Sequence, residues 1–236
     1  MGTLAGAAIV EETTVGSYFV SNYPPYSFWS PSCAHEAHAA LDRPAAPGTP
    51  LGVYLHIPFC RKRCTFCYFK VYTDKNSAEI ESYLDAAIEE LKLYAAKPFI
   101  ARRKPKFIYF GGGTPSYISS SQLTTLVNMM KKHLPWDEAE EVAFECEPGT
   151  LTEAKLHAIK DMGATRLSLG VENFDEEILR TNGRAHGAKE IGRAYDYARS
   201  IGFPQINIDL IAGMVGETDA NWRENIRQLI DLSPEM

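Results

Sequence analysis

Three of the five cysteines in this chain fall within eight positions: Cys60, Cys64 and Cys67, in the spacing CxxxCxxC. Immediately before them, residues 51–57 alternate apolar and polar side chains, a pattern typical of a β-strand. The cysteines are therefore predicted to lie on the loop that leaves the carboxyl end of a strand. Thiolates clustered in this way usually bind metal, so the loop is predicted to be a metal cradle.

The number of thiolates favours an iron–sulfur cluster. Structural zinc normally has four ligands, commonly two CxxC pairs or one CxxC with two histidines, and the sequence has no second pair. Three cysteines on a four-iron cube leave one iron without a protein ligand, and an open iron is reactive. Zinc, a disulfide with a spare thiol, and unligated core cysteines are the less favoured interpretations. Arg61, Lys62 and Arg63 would help to keep the thiolates deprotonated, or they form a solvated loop.

Charge and hydropathy argue against several classes of protein. The formal charge of −6 argues against a nucleic-acid-binding surface, because phosphate recognition needs a basic patch. Residues 1–10 lack a basic segment and run into two glutamates, so they make a poor signal peptide. No apolar run approaches the ~20 residues of a membrane span. We therefore expect a cytoplasmic protein, in a reducing compartment that suits free thiols.

Strand-like and helix-like segments alternate after the cysteine loop. Such alternation predicts an α/β protein with a parallel sheet, which right-handed crossovers curl toward a barrel with its site at the carboxyl ends of the strands. On the pattern alone, a doubly wound open sheet is the alternative. The strand-like segments lie near residues 51–57, 106–110, 142–146, 167–171 and 206–210, and the helical ones near residues 77–95, 119–130, 150–163, 176–180, 188–201 and 218–229.

Several of these helices begin with recognisable capping residues. A polar side chain before an apolar periodic run accepts hydrogen bonds from the first free backbone N–H groups, and a Glu or Gln three residues later completes a capping box. We expect N-caps at Asn76 or Ser77, at Ser119, at Thr150 and at Thr218.

Residues 1–50 differ in composition from the rest of the chain. They are predicted to form an aromatic and proline-rich extension with a linker at residues 39–50, ahead of a core domain at residues 51–236. The aromatic residues are too many for a solvated tail, so we expect them to pack across the core domain or over its opening. Filling a crevice is the favoured interpretation, and direct contact with substrate is the alternative. They are Tyr18, Phe19, Tyr23, Tyr26, Phe28 and Trp29.

Two further segments follow predicted strands and so belong on the same barrel face as the cysteines. Residues 111–115 read GGGTP, in which glycines let the backbone approach a ligand closely. By itself the motif is weak, and a tight turn is the more favoured interpretation of it. Glu145 lies on the strand face opposite Phe144, where an inward ligand would be. A carboxylate buried there needs hydrogen-bond donors, and a ribose or an ammonium group supplies them.

Together these motifs resemble those of a known family. Residues 54–60 (YLHIPFC) with CxxxCxxC, followed by GGGTP and the ECEPGT segment at 145–150, resemble the radical S-adenosylmethionine (radical SAM) enzymes, in the branch of oxygen-independent coproporphyrinogen oxidases and related haem chaperones. The likeness covers about residues 51–234, with five motifs in the family's order. It implies a partial (β/α)6 TIM-type barrel of which this chain supplies about five βα units. We therefore expect a fragment of a longer protein, in which a sixth strand would begin near residues 232–236.

The resemblance also implies roles for individual residues. Cys60, Cys64 and Cys67 would hold a [4Fe-4S] cluster, and no catalytic residue is assignable beyond the ligands of the cluster and the cofactor. S-adenosylmethionine would bind to the glycine motif through its amino group, to the strand-end acid through its nucleoside, to the arginine of the NGR segment at 182–184, and to aromatic residues. The residues implied are Tyr54, Phe66, Gly112, Gly113, Thr114, Glu145, Glu172, Arg184 and Asp209.

The activity implied is reductive cleavage of S-adenosylmethionine to methionine and a 5′-deoxyadenosyl radical, which takes hydrogen from a substrate. In the oxidases this starts oxidative decarboxylation of coproporphyrinogen propionates. The implied partners are a tetrapyrrole or haem and a one-electron donor such as flavodoxin or ferredoxin. The expected class is a coproporphyrinogen dehydrogenase-like oxidoreductase of porphyrin biosynthesis.

Two departures from the family pattern leave the substrate open. Phe69 stands where the oxidases often carry a fourth cysteine, which also fits the haem chaperones and methyltransferase-like relatives. Glu172 stands where glutamine is usual. Three hypotheses therefore remain: a tetrapyrrole-processing enzyme, a haem-binding chaperone, and a radical enzyme with another substrate. Among the remaining residues, we expect Cys146 in the core and His186 to cap a helix or face solvent.

Overall fold

The computed structural model describes residues 30–236, so the aromatic residues at 18–29 lie outside the described part of the chain. Its centre is one five-stranded sheet in which each strand pairs in parallel with the next one along the chain. The alternation of strands and helices therefore produced the parallel α/β sheet that the sequence predicted. The strands are β1 (Gly52–Ile57), β2 (Phe107–Gly112), β3 (Glu141–Cys146), β4 (Arg166–Glu172) and β5 (Gln205–Leu210).

Helices connect the strands and cover one face of the sheet. That face carries the apolar strand residues, such as Phe110, Phe144 and Leu167, which are fully buried in one core with the helices. The opposite face carries Tyr54 and Tyr109, which remain partly exposed. The helices are α1 (Ala34–Leu41), α2 (Ser77–Ala95), α3 (Ser120–His133), α4 (Glu153–Asp161), α5 (Glu176–Thr181), α6 (Ala188–Ser200) and α7 (Asp219–Leu232).

This one-sided arrangement is that of a barrel wall. A doubly wound sheet would have helices on both faces, so the partial-barrel prediction is confirmed and that alternative is wrong. The hydrogen bonding also continues past β5, because the Ile208 N–H donates to the Met236 carbonyl at 3.0 Å and the Glu235 N–H donates to the Ile206 carbonyl at 3.2 Å. These last residues pair with the edge of β5 where the sequence predicts the sixth strand to begin.

Most of the expected capping residues act as predicted. Asn76 and Ser119 each form a capping box, and the Thr218 side chain accepts from the backbone at the start of α7. The prediction for Thr150 is wrong. Thr152 caps α4 instead, while the Thr150 hydroxyl donates to the Glu147 carbonyl at 2.8 Å within a short 3-10 turn.

The region before β1 contains one helix that the sequence reasoning did not identify. It is α1, which covers the first residues of the stretch that we interpreted as linker and has no buried residue. The Leu41 carbonyl accepts from the Phe99 N–H at 3.0 Å, and Asp42 pairs with Lys97 at 2.8 Å, so α1 lies beside the segment that follows α2. No helix within residues 30–236 is long and apolar enough to cross a lipid bilayer.

Candidate functional site

A cavity of about 390 Å³ opens at the carboxyl ends of the strands. In an open parallel sheet this end is where loops from successive strands converge, so it is the expected place for a site. All of the predicted site residues except Tyr54 line this cavity. They are Cys60, Cys64, Phe66, Cys67, Gly112, Gly113, Thr114, Glu145, Glu172, Arg184 and Asp209.

The cysteine loop is held by its backbone on both sides. The Cys60 N–H donates to the Tyr72 carbonyl at 3.0 Å, and the Thr65 N–H donates to the Asn182 carbonyl at 3.1 Å. All three cysteines of the loop are free thiols. Burial raises the pKa of Cys60, although a hydrogen bond from the Thr114 hydroxyl at 3.3 Å acts in the opposite direction.

The glycine motif packs directly against the start of the cysteine loop. The Gly113 N–H donates to the Ile57 carbonyl at 2.8 Å, and the Thr114 N–H donates to the Phe59 carbonyl at 2.9 Å. A Cβ on Gly112 would lie 2.8 Å from the His56 ring, and one on Gly113 would lie 2.9 Å from the Cys60 sulfur. The backbone of Gly112 also has a positive φ of 119°. Both positions therefore need glycine, and the turn is a close-fitting cradle beside the thiols.

Carboxylates from three neighbouring strands line the cavity. Glu145 accepts from the Tyr109 hydroxyl at 2.5 Å and from the Gly112 N–H at 3.2 Å, yet burial keeps its pKa above the usual value. Asp209, at the end of β5, accepts from the Asn207 amide at 2.9 Å. Glu145 still has lone pairs free for a ligand, because a carboxylate accepts about four hydrogen bonds.

Glu172 is the most unusual of these acids. Its φ of 67° is left-handed, and it lies at an irregularity in the pairing of β4 with β5. Strained backbone of this kind costs of order 1–3 kcal/mol and is concentrated at functional sites. Burial raises the pKa of Glu172 to about 7, with Arg184 opposing the shift and Asp209 and Glu145 adding to it. The side chain is therefore held in the cavity at a cost in stability.

Arg184 is the cavity's cation with the most contacts. Its Nη1 lies 3.4 Å from the Cys64 sulfur, its Nη2 donates to the Gly170 carbonyl at 2.5 Å, and Nη2 also lies 3.7 Å from a Glu172 oxygen. The Nε atom is buried and has no hydrogen-bond partner among residues 30–236. A buried unpaired donor costs about 1–3 kcal/mol, so this atom fits a site that completes its contacts with a ligand.

The two predicted aromatic residues lie in different environments. Phe66 is 37% exposed and lines the cavity. Tyr54 lies outside the cavity lining and is 57% exposed on the open face of the sheet, where its hydroxyl is 2.9 Å from His56 Nδ1. Burial of the hydroxyl and the charge of Glu145 raise the pKa of Tyr54 to about 12. Of the predicted set, Tyr54 is the residue that the structure does not bring to the cavity.

The expectation for His186 is wrong. Its side chain is fully buried, it caps no helix, and its Nδ1 lies 3.0 Å from a Glu147 carboxylate oxygen. Burial alone would raise the pKa of Glu147, but the hydrogen bond from His186 and the charges of His186 and Arg61 hold it below its usual value. Sequence reasoning missed Glu147, although it is in the same ECEPGT segment as Glu145. It considered Arg61 only as a positive charge near the thiols or as part of a solvated loop, and did not predict its contact with Glu147.

The donors present suit a cluster of several irons. Within residues 30–236, no group of three or more His, Cys, Asp and Glu side chains is close enough to hold a single metal ion. The three thiols therefore line one cavity without converging on one point. A cube of iron and sulfur, which spreads its ligands, fits that arrangement better than one zinc ion. The glycine cradle and the unpaired Arg184 Nε lie on the same cavity.

Comparison with known proteins agrees with this geometry. The sequence model of the radical SAM superfamily matches residues 54–229. The heme chaperone HemW of Haemophilus influenzae is 32% identical over 187 residues, which is 78% of this chain and 49% of that protein. The oxygen-independent coproporphyrinogen III oxidase of Salmonella typhimurium is 31% identical over 189 residues, which is 80% of this chain and 41% of that protein.

A solved structure shows the same fold. The radical SAM enzyme coproporphyrinogen III oxidase (HemN) of Escherichia coli superposes with a TM-score of 0.79 at 29% identity, covering 92% of this chain and 49% of that one. The predicted barrel type is thereby confirmed. The chain spans about half the length of the curated relatives that it matches.

Proposed function

Because this chain belongs to the radical SAM superfamily, we propose that its cavity binds a [4Fe-4S] cluster and S-adenosylmethionine side by side. The observation that carries the proposal is the convergence of three free thiols, a glycine cradle and a set of charged side chains on one cavity at the carboxyl ends of the strands. Cys60, Cys64 and Cys67 are the proposed cluster ligands. Their thiols require a reducing environment, which is consistent with a cytoplasmic location.

The charges of the cavity suit S-adenosylmethionine. The proposed contacts include the acids Glu145, Glu172 and Asp209 and the base Arg184. The cavity wall also carries Glu147 and, on the cysteine loop, Arg61, Lys62 and Arg63. S-adenosylmethionine carries two positive groups, a sulfonium and an ammonium, and one carboxylate. The three acids would face the cationic and hydroxyl groups of the cofactor, while Arg184 would pair with its carboxylate.

The remaining contacts orient the cofactor. Backbone groups of Gly112 and Gly113 and the Thr114 hydroxyl would bind the amino group, and Phe66 would pack on the adenine. Tyr54 lies outside the cavity lining, on the same face of the sheet. A reduced [4Fe-4S] cluster held by Cys60, Cys64 and Cys67 would supply the one electron that reductive cleavage of S-adenosylmethionine needs, with methionine and a 5′-deoxyadenosyl radical as the products, and this radical would take hydrogen from the substrate. The chain's own contribution is to orient the two groups and to exclude water from the cavity.

The substrate that we propose for this site is a tetrapyrrole. The relatives at 31–32% identity carry the names coproporphyrinogen III oxidase and heme chaperone, and both names concern porphyrins. The oxidase activity that follows is oxidative decarboxylation of coproporphyrinogen, an oxidoreductase reaction in porphyrin biosynthesis. Such an enzyme takes electrons from a donor such as flavodoxin or ferredoxin.

A haem chaperone is the second candidate, and one residue favours it. Phe69 lies two positions after Cys67 and lines the cavity, at the place where a fourth cysteine is common in the oxidases. Its ring stacks on Tyr68 with centroids 5.0 Å apart, and it is 49% exposed. A chaperone would bind haem beside the cluster without converting it.

The cluster part of the proposal is tested by anaerobic reconstitution with iron and sulfide. We expect electron paramagnetic resonance of the dithionite-reduced protein to show a four-iron signal that changes when S-adenosylmethionine is added. Replacing Cys60, Cys64 and Cys67 by Ala should abolish the signal, whereas Cys33→Ala, at an exposed cysteine outside the loop, should leave it unchanged. A folded full-length protein that binds no cluster would refute the proposal.

The two candidate functions are separated by their products. An oxidase releases carbon dioxide from coproporphyrinogen and forms methionine under anaerobic, reducing conditions. A chaperone binds haem and leaves it unchanged. If neither compound has an effect on a cluster-loaded full-length protein, the substrate lies outside the porphyrins, as in the methyltransferase-like relatives.

A further inference from the structure

A second set of polar side chains, of which Arg61 and Glu147 line the same cavity, has no part in the contacts assigned above. At its centre is Glu147, one residue beyond β3 and only 8% exposed. One oxygen of its carboxylate accepts from His186 Nδ1 at 3.0 Å, from the Gly149 N–H at 3.2 Å and from Arg61 Nη2 at 3.4 Å. The carboxylate therefore joins three segments that are far apart in the sequence.

Arg61 connects this set to the cysteine loop. It follows Cys60 directly, and besides Glu147 its Nη2 donates to the Ala185 carbonyl. A Cβ on Gly149 would lie 2.6 Å from that nitrogen, so the turn after β3 leaves room for the guanidinium and for no side chain. Through one arginine, the loop that carries the thiols is tied to the end of β3 and to the segment that carries Arg184.

His186 holds the other side of the carboxylate. Its Nδ1 faces Glu147, and its Nε2 lies 3.3 Å from the Val171 carbonyl. Both ring nitrogens therefore face oxygen atoms, one of a side chain and one of the backbone. The His186 side chain is fully buried, whereas the Arg61 side chain is 45% exposed. The buried pair of Glu147 and His186 is therefore held in place by its surroundings, and the more exposed Arg61 side chain packs against it.

We propose that Glu147 and His186 are positioning residues that act through Arg61 to hold the cysteine loop in the conformation that retains the cluster. The inference rests on the proposed function, because it assigns these residues to the same cluster site. Glu147 lines the cavity, but one of its carboxylate oxygens already accepts from three donors, and the His186 side chain is fully buried. The proposal therefore gives neither residue a contact with the cluster or S-adenosylmethionine. Residues that support metal ligands from outside typically change metal affinity by roughly 10- to 100-fold when they are replaced.

The first test measures how fast the reconstituted protein loses iron to a chelator. We expect Glu147→Ala and His186→Ala each to speed the loss by about tenfold or more, and Glu147→Gln, which keeps an oxygen acceptor, to have a smaller effect. If Arg61 and Glu147 act through one contact, Arg61→Ala combined with Glu147→Ala should lose iron no faster than the worse single variant. Additive effects, or unchanged iron loss in all variants, would overturn the proposal.

A destabilised fold alone must be distinguished from this role. Asn225 is a matched control because it is as buried, at 1% exposure, and its side chain accepts from the Phe174 N–H at 3.0 Å, away from the cysteine loop. Asn225→Ala should lower the melting temperature without faster loss of iron. If it speeds iron loss as much as Glu147→Ala does, general destabilisation explains both and the positioning role is refuted.

The second test needs no cluster. Hydrogen exchange of the metal-free full-length protein should be about tenfold faster at residues 60–67 in Glu147→Ala and His186→Ala, and unchanged at residues 120–133 on α3. If the wild-type protein binds no cluster but the variants show this local effect, the proposed function fails and the loop anchor stands. If exchange at residues 60–67 is unaffected, the anchor fails whatever the cluster experiments give.

Discussion

The guanidinium of Arg184 lies 3.4 Å from the sulfur of Cys64. This contact joins the segment after α5 to the cysteine loop at one of the proposed cluster ligands. The guanidinium Nη1 is the donor in this contact, and the sulfur is its acceptor. The same side chain reaches into the cavity with a buried Nε that has no partner within residues 30–236. Arg184 therefore lies next to both the proposed cluster site and the proposed cofactor site.

Replacing Arg184 should weaken binding of S-adenosylmethionine. Loss of a hydrogen bond to a charged group costs about 1.5–3 kcal/mol, so Arg184→Gln should raise the dissociation constant by roughly tenfold or more. Equilibrium dialysis with the reconstituted protein measures this directly. Arg180→Gln is the control, because Arg180 is an exposed arginine on α5 that pairs with Glu177 at the surface. Equal losses in both variants would mean that Arg184 contributes only through long-range charge.

Glu172 should make the metal-free protein less stable as the pH rises. Its pKa is about 7 in the folded protein against 4.5 for a free glutamate, because burial disfavours the charged form. Between these two values the folded state binds more protons than the unfolded state, so the free energy of unfolding falls with increasing pH. The loss is complete above about pH 7 and amounts to about 3 kcal/mol.

Replacing Glu172 by glutamine, which does not titrate, tests the predicted loss of stability with rising pH. Urea unfolding of Glu172→Gln should give a nearly flat profile where the parent falls, with the variant more stable by about 3 kcal/mol at pH 8 and little different below pH 4.5. Glu177→Gln, at an exposed acid on α5, should follow the parent at every pH. A parent profile that does not fall between pH 4.5 and pH 7 would show that Glu172 is charged and compensated in the folded protein.

Local sequence patterns were enough to predict most of the framework. Periodicity and capping signals depend on neighbouring residues, so the extent of α2 could be predicted from the chain, and its cap was narrowed to Asn76 or Ser77, of which the structure shows Asn76. The same signals failed where two equivalent residues compete: Thr150 and Thr152 both precede α4, and the turn at Pro148–Thr150 decides which one caps it. The Thr150 hydroxyl contacts the Glu147 carbonyl at 2.8 Å and the Ser116 hydroxyl at 2.5 Å. Ser116 is 34 residues away in the sequence, so a local pattern does not include that contact.

Only those site residues that belong to a recognisable sequence motif could be predicted. The cysteine spacing and the glycine run pointed to the cavity. The contact between Arg61, Glu147 and His186 joins positions 86 and 39 residues apart in sequence, so it depends on how the strands are placed side by side. The left-handed backbone of Glu172 is set by the irregular pairing of β4 with β5, and the sequence gives no sign of it.

Gly112 should be more sensitive to substitution than another glycine with the same kind of backbone. Gly112→Ala places a Cβ at a φ of 119° and 2.8 Å from the His56 ring. Gly163 has a φ of 95° but open space around it, so Gly163→Ala reports the backbone cost alone, of about 1 kcal/mol or more. Thermal unfolding should show the larger loss for Gly112→Ala. An equal loss of stability in the two variants would mean that the loop moves to make room for the Cβ, so that the cradle is not close-fitting.

The cluster-free protein should show a fixed order of thiol reactivity. Iodoacetamide reacts with the thiolate, and burial both shields the Cys60 sulfur and raises its pKa. Exposed Cys33 should therefore be alkylated first, Cys64 and Cys67 next, Cys60 more slowly, and buried Cys146, whose pKa is also raised, last. Timed alkylation followed by peptide mass spectrometry gives the order. Alkylation of Cys60 as fast as Cys64 would mean that the glycine turn does not cover Cys60 until a cluster is bound.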